Sequence, residues 1–341
     1  MKRRGLLSVV AAVAGGALAG AAAEALLARR AAPRPAPDAE RIGPPEGEHV
    51  DVESFDGTVI HGTVVGSRGA LAAVFAHGII EASSVWHYQM RDPVLADRYA
   101  LIAYDARGHG RSGPARGPHG RTPFTAAAQA RDLTAVIEQT TSGRVVLVGH
   151  SMGGLAVQAL WDGEVPEVVR DRVAGIVLLN TTFTAELAGW RGAGTRPQRA
   201  FERIEDLGQR LVGSERLVHA FRPGYSDLSV IAARVVFGPR PLPEHLDASV
   251  RTYLGTPSAT IAASIDLART DLYHVLPHID VPALVVAGSH DRITPPWLSE
   301  EIAARIPNAE LVTLQDCGHM SPLERHDEVS TLIAKFNEQV L

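Results

Sequence analysis

Val145-Val-Leu-Val-Gly149-His150-Ser151-Met152-Gly153-Gly154 decides the reading of this 341-residue chain. The apolar run Val145–Val148 is short and continuous, the pattern of a strand buried on both faces. G-x-S-x-G follows at Gly149, Ser151 and Gly153, and Ser151 to Trp161 continues with a helical pattern. A strand entering this motif and a helix leaving it is the context of a sharp, strained turn that lifts a serine hydroxyl above a sheet. Glycines are needed at 149 and 153 because side chains would collide at such a turn.

Outward from this point the chain reads as alternating strands and helices. Val50–Phe55 and Thr58–Val65 are β-like runs around the turn Asp56-Gly57. Leu71–Ala76, Ala100–Tyr104, Ile176–Leu179, Ala283–Ala287 and Leu311–Leu314 are further apolar runs of strand length. Phe124–Gln139 carries Leu133, Val136 and Ile137 at helical spacing. Ser321-Pro322-Leu323-Glu324 has the form of a capping box with proline at the first helical position, so the last helix is expected to start there. Strands alternating with helices predict a mostly parallel sheet, here of eight strands, with helices on both faces. Between Phe183 and Leu276 the alternation fails: prolines 223, 239, 241 and 243 interrupt scattered helical patterns, with only Val235–Phe237 resembling a strand. A structureless loop of that length is implausible, so residues 183–276 are expected to form an inserted helical cap. The core is then 48–182 together with 277–341.

Around the serine motif the chain resembles the α/β-hydrolase superfamily, in its branch of esterases, lipases and haloperoxidases. The resemblance runs from about Val50 to the C-terminus and is weaker over the cap. His77-Gly78-Ile79-Ile80 follows a buried strand where that family places its oxyanion loop. Tyr104-Asp105-Ala-Arg107-Gly108-His109-Gly110-Arg111-Ser112 matches the loop after the next strand. Gly288-Ser-His290-Asp291-Arg292-Ile293-Thr294-Pro295 and Cys317-Gly318-His319 match its acid and histidine loops.

The chemistry accounts for the same residue types independently. A serine hydroxyl is a poor nucleophile until a base takes its proton, and the suitable base is a histidine held in one tautomer by a carboxylate. The order Ser151, Asp291, His319 is the one this fold uses. Asp291 and His319 each follow a strand run and would emerge beside Ser151 at the carboxyl edge of the sheet. The oxyanion donors implied by the resemblance are the backbone N–H groups of Ile79 and Met152. Rival histidines have structural readings: His77 braces the oxyanion loop, His109 stabilises a turn, and His150 points away from the elbow. His290 adjoins Asp291 and cannot easily face it. His274 and His278 have i, i+4 spacing, but Pro277 breaks the helix that would align them on a metal. Asp105 reads as a loop-organising carboxylate, and Asp316 stands too near His319 along the chain to orient it.

These features predict hydrolysis of a small-molecule carboxylic ester or thioester through an acyl-enzyme, with no cofactor and no metal. A cofactor-free haloperoxidase or a carbon–carbon bond hydrolase uses the same triad, and a non-catalytic ligand receptor could share the fold. Epoxide hydrolases and haloalkane dehalogenases are disfavoured, because they carry aspartate where this chain has Ser151.

The first fifty residues stand apart. They hold seven Lys/Arg and five Asp/Glu, which leaves the rest of the chain at −7 against −5 overall. That charge gives no electrostatic case for nucleic acid. Lys2, Arg3 and Arg4 precede an uncharged run of small and apolar residues at 5–23, and Arg29 and Arg30 follow Glu24. Residues 1–30 are therefore expected to be a signal peptide or N-terminal membrane anchor, with the body secreted or tethered outside the cytoplasm. Prolines 33, 35, 37, 44 and 45 mark 31–47 as an extended linker. The single cysteine, Cys317, excludes an intrachain disulfide. Oligomeric state is not legible.

Overall fold

A computed structural model describes residues 35–36, 38–66, 71–114, 124–163, 165–184 and 234–341. Eight strands form one sheet in the order β1-β2-β4-β3-β5-β6-β7-β8. They are β1 Glu48–Glu53, β2 Val59–Val65, β3 Leu71–Ala76, β4 Ala100–Tyr104, β5 Arg144–His150, β6 Val173–Leu179, β7 Ala283–Gly288 and β8 Ala309–Leu314. β1 and β2 pair antiparallel, β2 joins β4 antiparallel, and every later pairing is parallel. The α/β-hydrolase architecture expected from the sequence is therefore present.

The continuous apolar runs are explained by burial on both sides. In β3, Ala72, Val74 and Ala76 enter one core cluster while Ala73 and Phe75 enter the other. In β5, Val145 and Leu147 alternate in the same way with Val146 and Val148. Helices cover each face: α1 Pro93–Arg98, α2 Ala126–Thr140, α3 Met152–Gln158, α4 Glu167–Arg170, α5 Pro243–Gly255, α6 Ser258–Ala263, α7 Pro296–Arg305, α8 Ser321–Glu324 and α9 His326–Val340. Leu133, Val136 and Ile137 of α2 are buried in one cluster, and Val329, Ile333 and Phe336 of α9 in the other.

Five expectations differ from the structure or fall outside the described residues. Ser321 is the first residue of α8 rather than its cap, because the Glu324 carboxylate turns to the amides of Gly238, Gly318 and Met320. Residues 234–236 make a helical turn, not a strand. The proline-rich stretch read as a spacer is docked from Glu40 onward, since Ile42 is buried against the body. Proline content reports backbone stiffness, not what an isolated apolar side chain finds to pack on. Residues 1–34, with the expected signal or anchor, lie outside the described residues, as does 185–233 of the expected cap. Among the described residues no helix is long and apolar enough to cross a membrane. The described part of 183–276 is helical, in α5, α6 and the 3₁₀ turn Ser264–Arg269.

Candidate active site

Ser151 sits between β5 and α3 with φ +52° and ψ −118°, a left-handed backbone that L-residues avoid. Local sequence enforces it. A Cβ on Gly153 would run into the carbonyl oxygen of Ala76, and one on Gly149 into the backbone of Gly153. The Ser151 carbonyl accepts from the Gly154 amide at 2.9 Å and from the Thr181 hydroxyl at 2.6 Å, which closes the turn.

Asp291 and His319 follow β7 and β8, and both are buried. His319 Nδ1 lies 2.9 Å from Asp291 Oδ2. The same carboxylate accepts from Asn180 Nδ2 at 2.9 Å, Thr294 Oγ1 at 2.7 Å, and the amides of Ile293 at 2.8 Å and Thr294 at 2.9 Å. Burial opposes ionisation there, but the charge of His319 and these hydrogen bonds outweigh it and hold Asp291 at about 2. An ionised acceptor on Nδ1 leaves Nε2 as the basic nitrogen of the ring. Ser151, His319 and Ile79 line one cavity of about 290 Å³. Met152 is the first residue of α3, where an amide has no intrahelical partner.

The rival residues are engaged elsewhere. Asp105 accepts from the Ser83 amide at 2.7 Å and the Arg111 amide at 2.9 Å, as a loop-organising carboxylate does. Asp316 pairs with Arg240 at 3.1 Å. His274 pairs with Asp162 at 2.9 Å, and among the described residues no His/Cys/Asp/Glu cluster could hold a metal. His77 accepts the Ala106 amide on Nε2 at 2.8 Å, so its Nδ1–H donates to the Gly78 carbonyl at 2.7 Å. His109 Nε2 accepts the Ile80 amide at 3.1 Å, and burial together with the nearby His77 pushes its pKa down to about 3, which suits an acceptor nitrogen. Both rings thus fix the loop that carries Ile79.

His109 Nδ1 lies 3.1 Å from the carbonyl of Arg107, which anchors the loop that carries His109. The Arg107 guanidinium is fully buried and meets Asp132 through Nε and Nη2 at 2.6 Å each, with Asp56 at 3.0 Å from Nη1. Removing one partner from a buried pair strands the other charge. Arg107→Ala is expected to lose about 3–5 kcal/mol of stability, read by urea unfolding. A loss under about 1 kcal/mol, the size of an exposed pair, would contradict this role.

Asn180 and Glu81 had no sequence signal, and Thr294 was visible only as part of the stretch that matches the acid loop. Asn180 ends a strand run and Thr294 sits in a loop, as many structural residues do. Glu81, which is partly exposed to the cavity, pairs with the buried His150, whose Nδ1 lies 3.0 Å from Glu81 Oε2 and whose Nε2 donates to the His319 carbonyl at 2.8 Å. Both partners of His150 are acceptors, so a proton is shared between the two residues. Burial acts against both charges, yet their mutual attraction lowers the Glu81 pKa and raises that of His150. The His150 share of stability is present below its ordinary value of 6.5 and fades as pH rises through the raised one. The Glu81 share is present above 4.5 and fades as pH falls through the lowered one. Glu81→Gln should therefore depress the melting temperature most between about pH 5 and 6 and less at pH 9. A pH-independent difference would contradict the ion pair.

Residues 74–326 match the family profile described as "alpha/beta hydrolase fold". The chain belongs to the α/β-hydrolase family. It is 25% identical over 287 residues to a bifunctional esterase/perhydrolase of Acinetobacter calcoaceticus, covering 84% of this chain and 98% of that one. It is similar to a thermophilic esterase from Thermogutta terrifontis at 26% identity and TM-score 0.68, covering 86% of this chain and 99% of that one. An enol-lactonase from Burkholderia xenovorans is similar at 26% identity and TM-score 0.62, covering 84% and 99%. These relatives make this α/β-hydrolase an enzyme of the hydrolase class.

Proposed function

We propose that this α/β-hydrolase cleaves a carboxylic ester or thioester through an acyl-enzyme on Ser151. The observation that carries the reading is a serine on a left-handed elbow, in one cavity with a histidine whose Nδ1 is held by a buried carboxylate. In this reading His319 Nε2 takes the Ser151 proton as Oγ attacks the acyl carbon. The Ile79 and Met152 amides receive the developing oxyanion. His319 gives the proton to the departing alcohol or thiol, then removes one from the water that releases the acid. Asp291 keeps the ring in the required tautomer throughout. Assay of the purified protein with p-nitrophenyl esters, with the acyl adduct trapped by acid quench, tests this. Turnover without an adduct at Ser151 would sink it.

Perhydrolysis on the same triad is a second reading, favoured by the similarity to an esterase/perhydrolase. Peroxide would replace water at the acyl-enzyme, and peracid formation from a carboxylate and peroxide is its readout.

Two sequence-based readings stand beside this as proposals. Residues 183–276 act as a cap over the site and govern substrate choice. The body lies outside the cytoplasmic membrane, because three basic side chains and the amino terminus precede residues 5–23 while two arginines follow. Protease treatment of intact spheroplasts checks the latter, and a body degraded only after lysis would place it in the cytoplasm.

A further inference from the structure

The cavity beside Ser151 is built partly from chain that precedes the family match at residue 74. Ile42 lines it, is 2% exposed, and packs in the core cluster that holds Val85, Met320 and Leu323. The segment around it is tied down on both sides. Glu40 Oε1 accepts from His87 Nε2 at 2.9 Å and from Arg91 Nη1 at 3.2 Å, and Glu46 accepts from Arg91 Nη2 at 2.9 Å. The Ile42 carbonyl accepts from Arg251 of α5 at 3.0 Å, and α5 supplies a neighbouring part of the wall through Ala248 and Thr252.

The charge of the wall restricts what it can hold. Among the described residues no lysine or arginine lines the cavity, and the one acidic side chain among them, Glu81, is already engaged by the Gly78 amide at 2.7 Å and by His150. An anionic group placed there would be desolvated with no described lysine or arginine to meet it. The remaining surface is mostly aliphatic, and about 290 Å³ is at the small end of ligand pockets. From this we infer that Ile42, held in place by the docked segment 40–46, is a fixed part of the substrate-site wall and sets the length of the uncharged hydrocarbon group the site accepts. This rests on the proposed ester hydrolysis only for the identity of the bond cleaved; the wall and its occupant stand on packing and charge.

The test uses the full chain in three forms: wild type, Ile42→Ala and Ile42→Phe. Binding of linear alcohols from butanol to decanol is measured by calorimetry, alongside kcat/KM on p-nitrophenyl esters of rising acyl length. Each methylene that the cavity accommodates should tighten binding about fourfold, until the wall is met. Ile42→Ala is expected to move that limit up by about two carbons and Ile42→Phe to move it down, since the two changes alter the wall in opposite senses. The same limit in all three proteins, or a shift in the same direction in both variants, would make Ile42 a stabilising residue only and overturn the inference. Should either variant fail to fold by its melting curve, Ile42→Val carries the decision, with a limit unmoved from wild type counting against the wall. A fluorophosphonate probe separates the two readings. A wild type that binds alcohols with the Ile42-dependent limit but is never labelled at Ser151 would refute the serine mechanism and keep the wall.

Discussion

Replacing Ser151 by alanine is expected to reduce kcat on p-nitrophenyl butyrate by on the order of 10⁴-fold or more, leaving only background hydrolysis. In the proposed mechanism the hydroxyl oxygen forms the acyl bond, and among the described residues lining the cavity no other stands on an elbow at the end of a strand. The fold should survive, because the turn is held by backbone: the Ser151 amide donates to the Leu179 carbonyl at 3.1 Å, and the Ser151 carbonyl receives Gly154 and Thr181. Circular dichroism and thermal melting of the variant check this. A folded Ser151→Ala protein with activity within tenfold of wild type would remove serine from the mechanism.

Asp291→Asn has the next largest expected effect, a fall in kcat of about 10³–10⁴-fold. The reason lies in the donors that converge on the carboxylate. Asn180, Thr294, His319 and two amides all require an acceptor. A carboxamide must turn its NH₂ toward one set of them. Facing His319, it would stabilise the tautomer with its proton on Nε2, which cannot accept the serine proton. The control is Asp105→Asn, whose parent carboxylate binds the Ser83 and Arg111 amides of the loop system. That variant should melt lower and lose far less activity when folded. The opposite pattern, with Asp291→Asn active and Asp105→Asn dead at equal foldedness, would show that the orienting acid is Asp105.

The sheet and the candidate triad were legible because each depends on local signals. A strand buried on both faces cannot avoid an uninterrupted apolar run, and Leu71–Ala76 and Ala100–Tyr104 match β3 and β4 end to end. Ser151, Asp291 and His319 are recognisable because each follows such a run in the required order. What was illegible depends on partners distant in sequence. Asn180 meets Asp291 across 111 positions, Glu81 meets His150 across 69, and Ile42 reaches a cavity built mainly of later elements. Ser321-Pro322-Leu323-Glu324 shows the same limit from the other side. The local pattern was that of a capping box, but Glu324 found better donors at Gly238 and Gly318, brought to it by tertiary packing.

Covalent labelling tests most directly whether Ser151 is the nucleophile. The purified full chain is treated with a small fluorophosphonate, digested, and mapped by mass spectrometry. One adduct per chain is expected, on the peptide containing Ser151, formed in wild type, absent from Ser151→Ala and much slowed in Asp291→Asn. Failure of the folded wild type to label, or labelling at another residue that persists in Ser151→Ala, would contradict that role.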